Sequence, residues 1–204
     1  MNFLASVILL VASLDPSASY DELYGEAYFS CKHRGTLTES QTRVLEDLVE
    51  VERIFFALHP EIPPSMRGML LTAACRESRF TPRARGDWRI RNDRRVAMAH
   101  GVVQMWPWWK RAYNINRDDH RAAGKAWLTH VVVQYNKNKR YRRCPAWFSQ
   151  EQYWRAAWVQ VARGGRVNRS NRYRCFEVPS HYKTLQRWKR NIEAQRASVD
   201  ADGC

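Results

Sequence analysis

Residues 66–82 read MRGMLLTAACRESRFTP, and this stretch predicts an α-helix with one apolar face. A helix turns by about 100° per residue, so apolar side chains that recur every three or four positions share a face. Ser65 is a candidate N-cap, and Pro82 lies beyond the helix, so we expect the last helical residue between Ser78 and Phe80. The residues that share the apolar face are Met66, Met69, Leu70, Ala73 and Ala74.

Glu77 falls near the middle of this face, in the last turn of the predicted helix. Burial disfavours the charged form of a carboxylate, and so does the negative end of the helix dipole. A carboxylic acid that keeps its proton near neutral pH is what the cleavage of a glycosidic bond requires. The plainer interpretation is that Glu77 lies at a frayed helix end and pairs with an arginine.

Four further segments carry apolar residues at helical spacing. Capping-box spacing marks the start of two of them, at Thr38–Gln41 and at Ser149–Gln152. Asp118 or Asp119 can start another, and the last runs from about residue 181 to residue 197. Because no segment shows the alternation of a strand, we predict a mainly α fold.

The remaining segments predict no regular structure. They are an N-terminal arm (20–37), an arginine-rich surface loop (81–100), a tryptophan-rich turn (106–109) and a basic loop (137–143). The length of the chain suits one domain, which we place at residues 38–197, with a C-terminal tail at residues 198–204.

Residues 1–19 have the composition of an export signal. An apolar run from Phe3 to Leu14 precedes the small residues Ser17, Ala18 and Ser19, where a signal peptidase could cut. The run is too short to span a bilayer comfortably, and no Lys or Arg precedes it. We therefore predict a periplasmic or secreted protein; the alternatives are a buried N-terminal segment and a membrane anchor.

Five cysteines could form disulfides in an oxidising compartment, and their spacing fits no zinc module. Cys144 and Cys175 flank a basic stretch and are the best candidate pair. Cys75 is expected to be a plain buried thiol, and Cys204 is the candidate left over.

The net charge of +14 and a pI of about 10.0 predict a surface that attracts polyanions. Nucleic acid, anionic membranes and anionic cell-wall polymers all qualify. No helix-turn-helix, zinc-finger or RNA-binding signature is present in the sequence, and an export signal argues against nucleic acid, so we expect no such partner. The sequence contains no His/Glu metal motif either, so we expect neither a metal nor a cofactor.

Three blocks of sequence resemble the lytic transglycosylase SLT family. RESRFTP at residues 76–82 and AHGVVQM at residues 99–105 resemble the family signature, which is Glu-Ser-x-Phe-x-Pro, a loop and then Gly-x-x-Gln. WVQVARGGRV at residues 158–167 is similar to the family block Ala-Ala-Tyr-Asn-Ala-Gly-Pro-Gly-Arg-Val. The resemblance covers roughly residues 61–168 and implies the α-rich, lysozyme-like fold of that family.

The resemblance also implies roles for single residues. Glu77 matches the general acid that later acts as the base, Ser78 a substrate contact near that acid, and Gln104 a contact on the far side of the cleft. Gln160 stands where the family has a tyrosine that positions the glutamate, and Tyr182 is the candidate for a further family tyrosine on the last helix.

The implied reaction cuts the β-1,4 bond between N-acetylmuramic acid and N-acetylglucosamine in peptidoglycan and leaves a 1,6-anhydro end. The expected partners are glycan strands, with anionic wall or envelope polymers as further candidates, and we expect a monomer. Trp106, Trp108 and Trp109 follow Gln104 closely and could stack on sugar rings, although a turn at Pro107 could instead direct most of these rings into the core.

Two other functions stay open. A lysozyme-type hydrolase would need a second carboxylate to hold water, and Asp87 and Asp93 are candidates, although salt bridges to neighbouring arginines are the plainer interpretation of each. The Arg-Glu-Ser start followed by Gly-Asp-Trp is also similar to goose-type lysozymes. The other alternative is a non-catalytic protein that binds polyanions or cell wall through basic and aromatic side chains.

Overall fold

The computed structural model describes residues 18–31, 35–162, 175–178 and 180–202. Within these ranges a two-stranded sheet is formed by β1 (Arg85–Arg91) and β2 (Arg94–His100). The other regular elements in these ranges are all helical, so the predicted mainly α fold class is confirmed. They are a 3₁₀ turn (Pro64–Met66) and the helices α1 (Tyr20–Ser30), α2 (Glu39–Leu58), α3 (Met69–Ser78), α4 (Pro107–Tyr113), α5 (His120–Arg140), α6 (Gln150–Ala162) and α7 (Ser180–Asp202).

Helix α3 is the central element of the core. It packs against α1, α2, α5 and α7, and every residue from Met69 to Cys75 is buried. The sequence predicted one apolar face, but the neighbouring helices cover nearly all sides of this stretch, as suits a helix that is apolar all round. From Arg76 onward α3 emerges from the core, so its last turn is free to form part of a surface site.

The start of α3 is capped by a carboxylate from another helix. The N-cap residue Gly68 offers no side chain, and Glu52 of α2 accepts hydrogen bonds from the backbone N–H groups of Gly68 at 3.2 Å and Leu70 at 3.0 Å. Burial of Glu52 is complete and raises the pKa of its carboxyl to about 8, although these hydrogen bonds and the charge of Lys189 act to lower it.

We expect Glu52 to make the protein less stable as the pH rises from about 5 to about 8. Because its folded pKa of about 8 exceeds the ordinary value of 4.5, the folded state binds this proton more tightly than the unfolded state does. The resulting stabilisation is complete below the ordinary pKa and is lost as the pH rises through the folded pKa, with a total on the order of 5 kcal/mol. Urea denaturation at pH 5 and at pH 8 should show most of this loss, on the order of 3–4 kcal/mol in the free energy of unfolding.

The matched comparison uses two Gln substitutions on α2. Glu52→Gln should remove most of the pH dependence, whereas Glu39→Gln at the exposed start of the same helix should keep it. An equal dependence on pH in wild type and Glu52→Gln would contradict this role of Glu52.

The prediction of a surface loop at residues 81–100 is wrong, because most of this segment forms a β-hairpin. The two strands pair in antiparallel register from Arg85–His100 to Arg91–Arg94. Asn92 and Asp93 connect them with φ angles of 48° and 57°, as a two-residue type I′ turn requires. Much of the hairpin is exposed on both faces, so its strands carry no apolar alternation that a sequence pattern could show.

The prediction of an irregular arm at residues 20–37 is also wrong, because Tyr20–Ser30 form helix α1. Ser19 caps α1 and forms a capping box with Glu22, while Leu23 and Ala27 are fully buried. The arm therefore belongs to the core, and of its described residues only Cys31 and residues 35–37 lie outside a helix.

Three other segments that were predicted to be irregular are wholly or partly helical. The turn predicted at residues 106–109 is the start of α4, the basic loop predicted from residue 137 is helical through Arg140, and the tail predicted from residue 198 is helical through Asp202. The candidate cap Ser65 lies in the 3₁₀ turn instead, one turn before α3.

Three predicted helix starts are confirmed. Thr38 and Gln41 form a complete capping box at α2, and Ser149 and Gln152 exchange the same two hydrogen bonds at α6. Asp119 is the N-cap of α5, where its side chain accepts from the backbone of the first turn. The predicted glycine stop at residues 164–165 lies outside the described residues.

Two disulfides tie the fold together. The predicted Cys144–Cys175 pair is confirmed, with a Cα–Cα distance of 5.6 Å. The prediction of a free Cys75 thiol is wrong, because Cys75 of α3 is bonded to Cys31 at the end of α1. Cys204 lies outside the described residues. Stable disulfides are typical of proteins that fold in an oxidising compartment.

The predicted export signal falls mainly on residues 1–17, which lie outside the described residues. In the ranges that the structure does describe, no helix combines the length and the apolar character needed to cross a membrane.

Candidate active site

A cavity of about 370 Å³ opens beside the C-terminal end of α3. Its walls also include the base of the hairpin, the turn after β2, helix α4 and the facing ends of α6 and α7. The volume is within the range of sites that bind small ligands. Four residues that the sequence singled out line this cavity: Glu77, Asp87, Gln104 and Trp106.

Glu77 faces the cavity from the last turn of α3. The burial that the apolar face predicted for this carboxylate is wrong, because Glu77 is an exposed residue whose side chain is 34% accessible to solvent. Its Oε1 atom lies 3.0 Å from Nε2 of His181, in the first turn of α7. The His181 side chain is only 9% exposed, and its Nδ1 atom is buried without a hydrogen-bond partner in the described part of the chain. His181 therefore directs its Nε2 atom at Glu77.

Gln104 reaches the cavity from the turn after β2. Its side-chain nitrogen donates to the backbone oxygen of Gly101 at 2.9 Å. A Cβ atom on Gly86 of β1 would lie only 2.2 Å from the Gln104 Oε1 atom. The absence of a side chain at Gly86 thus leaves the space that the Gln104 amide occupies.

Two arginines fix the base of the hairpin. Arg117 donates from Nη1 to the backbone oxygens of Met98 at 2.8 Å and Met105 at 2.9 Å. Arg85 forms a two-pronged ion pair with Asp118 at 2.7 and 2.9 Å. Burial alone would raise the pKa of Asp118, but the hydrogen bonds from Arg85 hold that pKa below its usual range. These contacts hold β1, β2 and the following turn in one arrangement.

Asp87 and Trp106 form one wall together. The indole Nε1 of Trp106 donates to Oδ2 of Asp87 at 2.8 Å, and Asp87 has a left-handed backbone with a φ of 48°. Asp93, the other candidate for a second carboxylate, lies in the hairpin turn and does not line the cavity.

Three further tryptophans line the cavity: Trp108 and Trp109, which the sequence offered either as sugar contacts or as core residues, and Trp127 of α5. Trp108 and Trp109 stack with their ring centroids 4.4 Å apart, and both contact the ring of His130. The hydroxyl of Tyr113 lies 2.5 Å from Nδ1 of the same histidine. Trp108, Trp109 and Trp127 give the cavity an aromatic side, and the contacts with His130 and Tyr113 hold the first two in place.

Besides Asp93, three other sequence-predicted site residues do not line the cavity. The Ser78 hydroxyl donates back to the Ala74 carbonyl oxygen at 3.1 Å. Gln160 is buried in α6, and its amide has no hydrogen-bond partner among the described residues. Tyr182 donates to Glu151 at 2.9 Å, and burial together with this bond raises its pKa to about 12. The residue beside Tyr182, His181, is the one that contacts Glu77.

Comparisons with known proteins give no match. No protein-family model matches the chain, no curated protein is similar to it, and no solved structure matches it. Among the described residues, no group of three or more His, Cys, Asp or Glu side chains is placed to hold a metal ion.

Proposed function

We propose that this protein is a lytic transglycosylase with a lysozyme-like fold, which cuts the glycan strands of peptidoglycan with Glu77 as its acid. One observation carries the proposal: Glu77 and Gln104, from two separate motif blocks, line the same cavity although the whole hairpin lies between them in the chain. The aromatic side of the cavity suits a sugar chain, because Trp rings stack on the apolar faces of sugars.

The reaction needs one group that first gives and then takes a proton. Protonated Glu77 donates its proton to the glycosidic oxygen while the bond from this oxygen to the anomeric carbon breaks. Ionised Glu77 then accepts the proton of the sugar's own 6-hydroxyl, whose oxygen forms the new bond to the anomeric carbon. The products are a free hydroxyl end and a 1,6-anhydro end, and no water is consumed.

His181 can hold Glu77 in both of these protonation states. When Glu77 is ionised, an N–H at Nε2 donates to the carboxylate; when Glu77 is protonated, an unprotonated Nε2 accepts from it. The distance of 3.0 Å between Nε2 and Oε1 suits either arrangement. We therefore assign His181 the role of a positioning residue, in place of the tyrosine expected at Gln160.

We expect His181→Ala to lower kcat on peptidoglycan by about 10- to 100-fold with little change in KM, because a misplaced acid costs rate more than it costs binding. His181→Gln, whose amide can donate or accept, should restore part of the lost activity. The measurement is the release of soluble fragments at several substrate concentrations and pH values. A kcat in His181→Ala equal to that of wild type would contradict the positioning role.

We also expect Gly86→Ala to lower activity about tenfold or more while the protein stays folded. The added Cβ would displace the amide end of the Gln104 side chain from the cavity. Because this side chain is flexible, it can move without disturbing the backbone, so the protein should stay folded. Gly101→Ala is the contrasting variant, because its Cβ would lie 2.0 Å from a backbone oxygen at a φ of 76°, and it should unfold at lower temperature. Normal activity in folded Gly86→Ala would show that Gln104 is not a substrate contact.

A hydrolase is the second candidate, and the position of Asp87 favours it. Asp87 lines the same cavity as Glu77 and could hold an attacking water. Asp87→Asn keeps an oxygen that can accept the Trp106 N–H but removes the carboxylate. A hydrolase should lose on the order of a hundredfold in rate with this change, whereas a transglycosylase should keep most of its rate.

Location and partners follow from the same proposal. An enzyme of peptidoglycan works outside the cytoplasm, in keeping with the two disulfides. The positive surface would favour contact with anionic wall or envelope polymers, and we propose a monomer without a nucleic-acid partner.

The proposed function is tested by incubating the purified protein with isolated peptidoglycan and measuring the release of soluble fragments. Fragment release by wild type is expected, and a lysozyme control shows that the substrate can be cut. No release by wild type would remove the catalytic proposal, and tight sedimentation with intact peptidoglycan in that case would favour a binding protein.

A further inference from the structure

The outer half of the hairpin stands away from the body of the protein. Every residue from Trp88 to Val96 is exposed, although these residues are paired strand to strand. An isolated two-stranded hairpin is marginally stable in water, and here the fixed base at Arg85 and Arg117 supports it. The projection therefore offers two strand faces for contact with something outside the chain.

The charge of this projection is strongly positive. Residues 88–96 contain Arg89, Arg91, Arg94 and Arg95, and Asp93 is the single acid among them. The arginines that form ion pairs in the described part of the chain lie at other positions, so none of these four is paired with a carboxylate there. Such an excess of unpaired positive charge attracts an anionic surface.

Apolar side chains share the projection with these arginines. Trp88 is 48% exposed and Ile90 is 79% exposed, and along β1 they alternate with Arg89 and Arg91. Because successive residues of a strand point to opposite faces, Trp88 and Ile90 share one face and the two arginines the other. On the Trp88 face, the Arg95 guanidinium lies 4.9 Å from the centre of the indole.

We propose that this hairpin attaches the protein to an anionic lipid surface. The hairpin would enter this surface with its turn first, so that both of its faces contact lipid. Arg89, Arg91 and Arg94 on one face then gain from lipid phosphates, while Trp88 and Ile90 on the other gain from the boundary between headgroups and acyl chains. A soluble polyanion would bind the arginines but would leave Ile90 in water. The exposed apolar pair therefore favours a lipid surface over a dissolved polymer.

Attachment through the hairpin would also fix the position of the cavity relative to the lipid surface. Gly86 and Asp87, at the base of β1, border the cavity that holds Glu77. A hairpin bound to lipid would therefore hold the mouth of this cavity close to the membrane surface. This inference does not depend on the proposed reaction, since lipid binding is measured without substrate.

The test is co-sedimentation with vesicles of phosphatidylcholine, either pure or with about a quarter of phosphatidylglycerol. Wild type should sediment with the anionic vesicles and not with the neutral ones. The triple change Arg89→Gln, Arg91→Gln and Arg94→Gln should lower the partition coefficient on the order of 100-fold, and the uncharged change Trp88→Ser with Ile90→Ser roughly tenfold.

The matched control removes equal charge from exposed positions of α7, by Lys183→Gln, Arg187→Gln and Arg190→Gln. Its partition coefficient should fall clearly less than that of the hairpin triple variant, because surface charges act over about one Debye length. Circular dichroism checks that each variant is folded. Failure of wild type to bind, equal losses in the two triple variants, or an unchanged Trp88/Ile90 variant would each overturn the proposal.

Discussion

Glu77→Gln is expected to lower the rate of fragment release from peptidoglycan by on the order of a thousandfold. The amide has nearly the shape of the carboxyl, and it can still form a hydrogen bond with Nε2 of His181, which lies 3.0 Å from the native oxygen. It cannot give a proton to the glycosidic oxygen or take one from the 6-hydroxyl. The rate should therefore fall while substrate binding and the melting temperature change little.

Two further variants make this test specific. Glu77→Asp keeps an acid but withdraws it by one methylene, so an intermediate rate is expected. Glu46→Gln removes a carboxylate from an exposed position of α2 and should leave the rate unchanged. A Glu77→Gln rate within about tenfold of wild type would contradict the assignment of Glu77 as the acid.

Removal of the disulfide between Cys31 and Cys75 is expected to cause a large loss of stability. The two residues are 44 positions apart, and opening a loop of this length costs about 4 kcal/mol in the chain-entropy estimate. In a chain of this size, the double change Cys31→Ser and Cys75→Ser should lower the melting temperature by roughly 8–16 °C. Differential scanning calorimetry at fixed pH measures this change.

The disulfide between Cys144 and Cys175 provides a matched control for this loss of stability. Cys144 and Cys175 are 31 positions apart, so their replacement by serine should cost nearly as much stability. Only the first bond, however, joins α1 to the helix that carries Glu77. A melting temperature of the Cys31/Cys75 variant within about 2 °C of wild type would show that packing of α1 alone holds this region together.

The parts of the fold that the sequence could predict are those with local signals. Capping boxes placed the starts of α2 and α6, and the apolar spacing of residues 66–74 gave the helix that carries Glu77. Glu77 and Gln104 were found through two short motif blocks, and the structure brings both to one cavity. Local patterns were sufficient there because each feature depends on residues within one or two turns.

The sequence of the hairpin contains a turn signal but no strand signal. Asn92 and Asp93 are residues that tolerate a positive φ, but the strands beside them are exposed on both faces and rich in arginine. Without a buried face there is no alternation to detect. Helix α1 was missed although Ser19 and Glu22 have capping-box spacing, because its apolar residues do not form a strong stripe and an apolar leader precedes it.

Contacts between distant segments could not be predicted. His181 is 104 positions from Glu77, and the motif comparison directed attention to its neighbour Tyr182. Which of two adjacent residues faces the cavity depends on how α7 rotates against α3. The partner of Cys75 depends in the same way on α1 lying beside α3, and Glu52 becomes a buried cap only because α2 crosses the start of α3.

The most direct test of the proposed function is the mass of the glycan ends that the wild-type protein releases from purified peptidoglycan. We expect fragments with 1,6-anhydro ends, each lighter by one water than the corresponding hydrolysis product, and we expect Glu77→Gln to release none of them. Fragments that carry the extra water would contradict the transglycosylase and establish a hydrolase, with Asp87 as the residue to examine next.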